Sequence, residues 1–238
     1  MNLTATPWDF FLILIVLGTL VPWRGAVRVK RLLTQQSSAG AERLSLYVST
    51  IAYQWLIVSI VAWRAFSRGL SLADVGLTAV DPWRTTWMAL ALTALLCANQ
   101  FAGLRMMARV PSAQRGTLFR LTEKIMPRTM RESVVFTILA CTAGLSEEFL
   151  YRGFVFAVFK RMFVNLAFSV PIAGILSSAW FAVAHLYQGK RGIITTFIVG
   201  ILFSAVRVWS GNLIPSILAH ACIDLVVGLC ASRYLRNS

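Results

Sequence analysis

Ser133–Phe159, SVVFTILACTAGLSEEFLYRGFVFAVF, decides how this chain folds. It is apolar at both ends and longer than the about 20 residues a helix needs to cross the hydrocarbon of a bilayer. Yet its middle carries Glu147, Glu148 and Arg152. Six other apolar runs flank it, at 8–23, 44–63, 85–104, 164–186, 193–209 and 212–231. Over the whole chain, 58% of residues are hydrophobic, 13% are charged and the mean hydropathy is +0.70. A soluble domain carries about 25% charged residues and would expose too much apolar surface with these runs. The pattern predicts an all-α, polytopic transmembrane helical bundle of seven spans. An eighth span or a re-entrant segment stays open, because 133–159 is long and has Gly144 near its middle.

The formal charge of +14 is concentrated between the apolar runs. Arg24, Arg28, Lys30, Arg31 and Arg43 fill 24–43. Arg105, Arg109, Arg115, Arg120, Lys124, Arg128 and Arg131 fill 105–132. Cytoplasmic loops are enriched in Lys and Arg, so both stretches face the cytoplasm and contact anionic membrane lipids. No nucleic-acid partner is needed to explain the charge. Seven spans then put the N-terminus outside and the C-terminus, with Arg233 and Arg236, in the cytoplasm. The stretch 105–132 reads either as an amphipathic helix on the cytoplasmic membrane surface or as a solvated basic loop. Trp8, Trp23, Trp63, Trp83, Trp87 and Trp209 lie near span ends, where interfacial aromatic residues gather.

The run 8–23 does not start with basic residues and no small-residue cleavage site follows, so it reads as a retained helix. Cys97, Cys141, Cys222 and Cys230 lack C-x-x-C spacing and read as small core residues; Cys222 sits between two polar residues and keeps a ligand role open. Residues 1–132 are expected to form N-terminal helices with basic loops, and 133–238 a bundle holding the functional residues.

Three acids, Glu147, Glu148 and Asp224, and both histidines, His185 and His220, fall inside apolar runs. An ionisable group in the membrane interior is expensive, so five from three segments point to one shared site. Glu148 and Arg152 stand at i and i+4, acid first, the favoured order for a helical ion pair. Neighbouring residues on a helix point about 100° apart, so Glu147 is left as the freer carboxylate, able to act as a general base on water. Phe181 lies one turn before His185 and can pack on its ring. His220 and Asp224 share a helix face one turn apart, about 6 Å along the axis. That spacing suits two metal ligands or two groups polarising a carbonyl. Arg207, near a span end, is expected to snorkel, with a substrate carboxylate as its other use.

Together the three clusters resemble the motifs of the CPBP family of intramembrane proteases, which includes type II CAAX prenyl endopeptidases and bacterial relatives linked to bacteriocin processing. Glu147-Glu148 through Arg152 matches E-E-x-x-x-R. Phe181 through His185 matches an aromatic residue followed by x-x-x-H. His220 through Asp224 matches H-x-x-x-N or H-x-x-x-D. The resemblance covers 134–230, with a looser likeness at Ser71–Leu77. It implies endopeptidase action on a membrane-tethered or lipidated protein or peptide; short loops and a small size suit a bacterial plasma (inner) membrane. It also implies that Glu147 activates water with help from His185, that Glu148 and Arg152 support the site, and that His220 and the residue at 224 stabilise the oxyanion. The family is described both as metal-dependent and as metal-free. An ionised Asp cannot donate a hydrogen bond, so Asp224 is protonated, orients His220 or binds metal. Glu147, His185, His220 and Asp224 would together make a zinc set. A cavity lined by the five residues, with aromatic or aliphatic walls, is required for water to reach them. Gly144 or Pro171 would bend a helix to open it toward the cytoplasm. Two other uses of buried acids and histidines are a proton-coupled transporter and a non-catalytic membrane protein that sequesters a partner.

Overall fold

The computed structural model describes residues 6–34, 40–78, 81–110 and 116–235. Arg115 and Arg236 of the basic pattern lie outside them. The described residues form eight helices and no strand: α1 (Trp8–Thr34), α2 (Gly40–Ser67), α3 (Pro82–Ala108), α4 (Thr117–Ile125), α5 (Met130–Met162), α6 (Ser169–Ala184), α7 (Gly189–Ser210) and α8 (Ile214–Leu235). Five stretches within α1, α2, α3, α5 and Leu186–Ser210 are long and apolar enough to cross a membrane, and Ser169–Ala184 and Ile214–Cys230 are shorter apolar helices. The chain is thus a transmembrane helical bundle built on the seven apolar runs.

The helix surfaces agree with a lipid surround. Leu12, Ile15, Leu56, Leu90, Ile138 and Ile198 are all exposed on transmembrane helices, where hydrocarbon replaces water as solvent. The six tryptophans near the span ends are 63–79% exposed, as interfacial anchors are.

Several boundaries differ from the sequence reading. The basic residues Arg24–Arg31 do not form a loop; they continue α1 to Thr34. Arg28 is held inside by Thr50 Oγ1 (3.1 Å), Ser49 Oγ (2.5 Å) and the Leu46 carbonyl (3.2 Å), which satisfy a cation in the bundle. Within α1, Val16–Leu20 is a widened turn with i→i+5 bonding. Trp180 Nε1 donates to the Leu14 carbonyl at 2.9 Å, taking an acceptor from the helical ladder. Gly18 permits this approach, since a Cβ there would stand 2.9 Å from that indole nitrogen.

Part of the 105–132 stretch is the helix α4, but it is folded into the bundle. Leu121 is buried. Lys124 Nζ donates to the Leu32 and Leu33 carbonyls at 2.8 and 3.2 Å, capping the end of α1. Tyr47 Oη donates to the Ile125 carbonyl. Just beyond, Thr129 Oγ1 caps α5 by accepting from Glu132 N. Glu132 also receives Arg43 through Nε (3.0 Å) and Nη2 (2.9 Å), a buried bidentate pair joining α2 to α5.

No re-entrant turn occurs in 133–159. α5 runs unbroken, and Gly144 serves close packing: a Cβ there would stand 2.9 Å from Ala221 N and Ile217 O of α8. Nor does Pro171 bend a helix; it lies in the first turn of α6, where its missing N–H leaves no bond unmade. The distortion sits at Glu148–Val155, a second widened stretch that is buried throughout.

The Leu70–Leu77 connection packs against the C-terminal helices. Val75 is fully buried, and Gly76, at φ +72°, offers its carbonyl to Leu213 N at 2.9 Å. Burial opposes ionisation of Asp74, but bonds from Ser71 N–H and Oγ–H, with Lys160 and Arg161 near, hold its carboxyl below the usual range. Arg207 does not snorkel. It is buried, stacks 4.0 Å above the Phe156 ring and donates from Nη2 to the Asp74 carbonyl at 2.5 Å. Contacts between 1–132 and 133–238 therefore occur at Arg207–Asp74 and Gly76–Leu213, and again inside the site.

Candidate active site

The widened turn of α5 starts where the chemistry starts. Glu147 closes the regular part of the helix, and Glu148 and Arg152 lie in the distorted part. Both of the latter are fully buried, and Arg152 Nη1 donates to Glu148 Oε1 at 3.0 Å. Arg152 also lies 3.9 Å above the Phe181 ring, a cation–π contact that strengthens away from water.

His185 caps the C-terminus of α6, just past the helix end. The Phe181 carbonyl lies 2.9 Å from its Nδ1. A carbonyl only accepts, so Nδ1 carries the proton and Nε2 points into the site. The Phe181 ring packs edge-on against the imidazole, with centroids 4.6 Å apart. His220, on α8, is fixed by the same logic: Glu148 Oε1 lies 2.9 Å from its Nδ1. Glu148, rather than Asp224, orients this ring.

Glu147 meets both histidines. Its Oε2 lies 3.7 Å from His185 Nε2 and 3.8 Å from His220 Nε2, and makes no hydrogen bond among the described residues. Separations just above 3.5 Å suit one small polar group shared between these atoms. Its Oε1 accepts from Gln54 Nε2 of α2 at 3.1 Å. Asp224 Oδ2 stands 3.9 Å from His220 Nε2, with its side chain 37% exposed.

These groups line a cavity of about 760 Å³ with walls from Tyr151, Phe181 and Phe203. Glu147, His185, His220 and Asp224 reach it, but Glu148 does not line it; it stands behind His220. The cavity is also lined by Arg24, Arg28 and Arg191. Gln54 was missed in the sequence, where its only signal is a lone amide within an apolar run. Cys222 does not line the cavity.

A zinc set is the sequence expectation at Glu147, His185, His220 and Asp224. Among the described residues no group of three or more His, Cys, Asp or Glu is arranged to hold a metal ion. The nearest nitrogen–oxygen separations among these four residues are 3.7–3.9 Å.

A helical integral membrane protein with a cavity holding a glutamate between two histidines is the class that fold and site define. Comparison with known proteins agrees. Residues 129–226 match the family described as type II CAAX prenyl endopeptidase Rce1-like, the group that the three sequence clusters resemble. The chain is also similar to an uncharacterized 24.3 kDa protein of Escherichia coli, 31% identical over 90 residues, which cover 37% of this chain and 40% of that protein. The match thus spans about two fifths of the relative's length. No solved structure matches the chain.

Proposed function

We propose that this protein is an intramembrane endopeptidase that hydrolyses a peptide bond of a membrane-associated or lipidated protein. The observation that carries this reading is Glu147 Oε2, without a hydrogen bond among the described residues and held between His185 Nε2 and His220 Nε2 at 3.7 and 3.8 Å. A water placed there donates one proton toward Glu147 and the other toward His185 Nε2, leaving a lone pair for the substrate carbonyl. As the C–O bond forms, Glu147 takes the proton. His220, when it carries a proton on both nitrogens, donates Nε2–H to the oxyanion while Nδ1–H stays on Glu148. The C–N bond then breaks, and the proton on Glu147 passes to the leaving amine. Glu148 and Arg152 act behind the reacting atoms by fixing His220 and Phe181. Asp224, exposed to the cavity beside His220, contacts the substrate. No step is routed through a metal.

The family match over the site segment supports peptidase chemistry. The basic wall formed by Arg24, Arg28 and Arg191 supports a cavity that faces the cytoplasm, with the N-terminus outside. Likeness to an Escherichia coli protein supports a bacterial setting. No observation favours a transporter or a sequestering protein.

The test compares protein termini by mass spectrometry in membranes from cells making the wild type or Glu147→Gln at equal abundance. New termini confined to the wild type are expected. Identical termini, in the natural host, would overturn the proposal.

A further inference from the structure

Gln54 belongs to α2, outside the matched segment, yet among the described residues it makes the one side-chain hydrogen bond to Glu147. A carboxylate oxygen can only accept, so the amide nitrogen must face Glu147 and the amide oxygen must face away. That oxygen is buried and has no hydrogen-bond partner among the described residues, and Gln54 lines the cavity. A glutamine serving only as glue between helices would be expected to satisfy both ends, because a half-satisfied buried amide costs more than an apolar side chain of the same shape. Here one end is committed to the carboxylate and the other is left unmet.

The geometry of Glu147 shows what this bond does. The side chain is 21% exposed and can turn about its last torsion, which is broad for a glutamate. His185 and His220 lie beyond hydrogen-bond reach of Oε2, so neither imidazole fixes the carboxylate. The bond from Gln54 to Oε1 does, and it leaves Oε2 directed between the two Nε2 atoms. α2 is itself anchored to α5 by the buried Arg43–Glu132 pair at the end of the same helix contact.

We propose that Gln54 is a positioning residue of the reaction: it holds the Glu147 carboxylate in the orientation from which Oε2 activates water, so that the catalytic segment is completed by a helix outside it. This rests on the endopeptidase reading, and the test separates the two.

Gln54→Leu keeps the bulk and removes the bond. Gln54→Glu donates to Glu147 only while the new carboxyl keeps its proton. Gln54→Leu is expected to lower kcat about 10- to 100-fold, the usual cost of a misplaced reactive group, with KM within about threefold. Gln54→Glu is expected to keep more activity at low pH and lose it, relative to wild type, as pH rises. A kcat for Gln54→Leu within about twofold of wild type, in protein of unchanged melting temperature, would overturn the proposal. So would parallel pH profiles for Gln54→Glu and wild type. A readout independent of cleavage is the infrared carboxylate band that Glu147→Gln abolishes: Gln54→Leu is expected to shift it, and an unmoved band overturns the proposal even if the protein cleaves nothing. Absence of cleavage by the wild type with a shifted band overturns the endopeptidase reading alone.

Discussion

Glu148 Oε1 stands 2.9 Å from His220 Nδ1 and ties α5 to α8 across 72 residues of sequence. The same oxygen accepts from Arg152 Nη1 at 3.0 Å. One fully buried carboxylate thus serves as counter-ion to a buried guanidinium and as the anchor of a histidine that faces the cavity. Breaking such an arrangement on one side leaves a charge without a partner. Glu148→Ala is expected to lower stability by about 3–5 kcal/mol, read as a fall in melting temperature in detergent. Joint replacement of Glu148 and Arg152 by methionine should recover much of that loss, because apolar side chains of similar volume often match a buried pair. Both variants should lack activity, since His220 loses its anchor.

Glu147 behaves differently because it is partly exposed to the cavity and makes one neutral hydrogen bond. Glu147→Gln keeps shape and burial. Its melting temperature should stay within a few degrees of wild type, while cleavage falls by at least about 100-fold, the usual worth of a general base. Thermal unfolding and a cleavage assay on one preparation check both halves.

Gly144 is required by contact, not by flexibility. Gly144→Ala places a methyl 2.9 Å from two backbone atoms of α8, and backbone cannot swing aside as a side chain does. The variant should lose about 1–3 kcal/mol by overpacking. It should also lose activity, because α8 carries His220 away from α5.

Arg207 holds a loop to the bundle through the Asp74 carbonyl. Arg207→Met keeps the packing on Phe156 but removes that bond. Amide exchange across Ser71–Leu77 should rise, with little change elsewhere in the chain. Unchanged protection there would show that the Leu213–Gly76 bond suffices.

The likeness of Glu147 through Arg152 to a helical ion pair beside a freer acid was legible because the i,i+4 geometry of a helix is local. The pair formed as spaced, even though the turn that holds it is widened. The packing of Phe181 on His185 was local too. The orienting partner of His220 was not. In the sequence, orienting His220 was one of three uses left open for Asp224, four residues away on the same face. The structure supplies Glu148 instead, because interhelical packing brings Nδ1 onto that oxygen and leaves Asp224 at 3.9 Å from Nε2. Gln54 was hidden for the same reason: a lone amide in an apolar run has no period or spacing that says which helix it will face.

The sequence by itself determined a membrane-spanning helical bundle, since backbone groups in hydrocarbon must bond within each segment and the apolar runs have the length for it. It also nominated the five ionisable residues, which stand out because charge is costly in those runs. Only the tertiary structure decided that Glu147 lies between two imidazoles, that Glu148 stands behind one of them, and that Arg28 and Arg207 are held inside. Those outcomes depend on which helix faces meet, and long-range packing leaves no periodic signal along the chain.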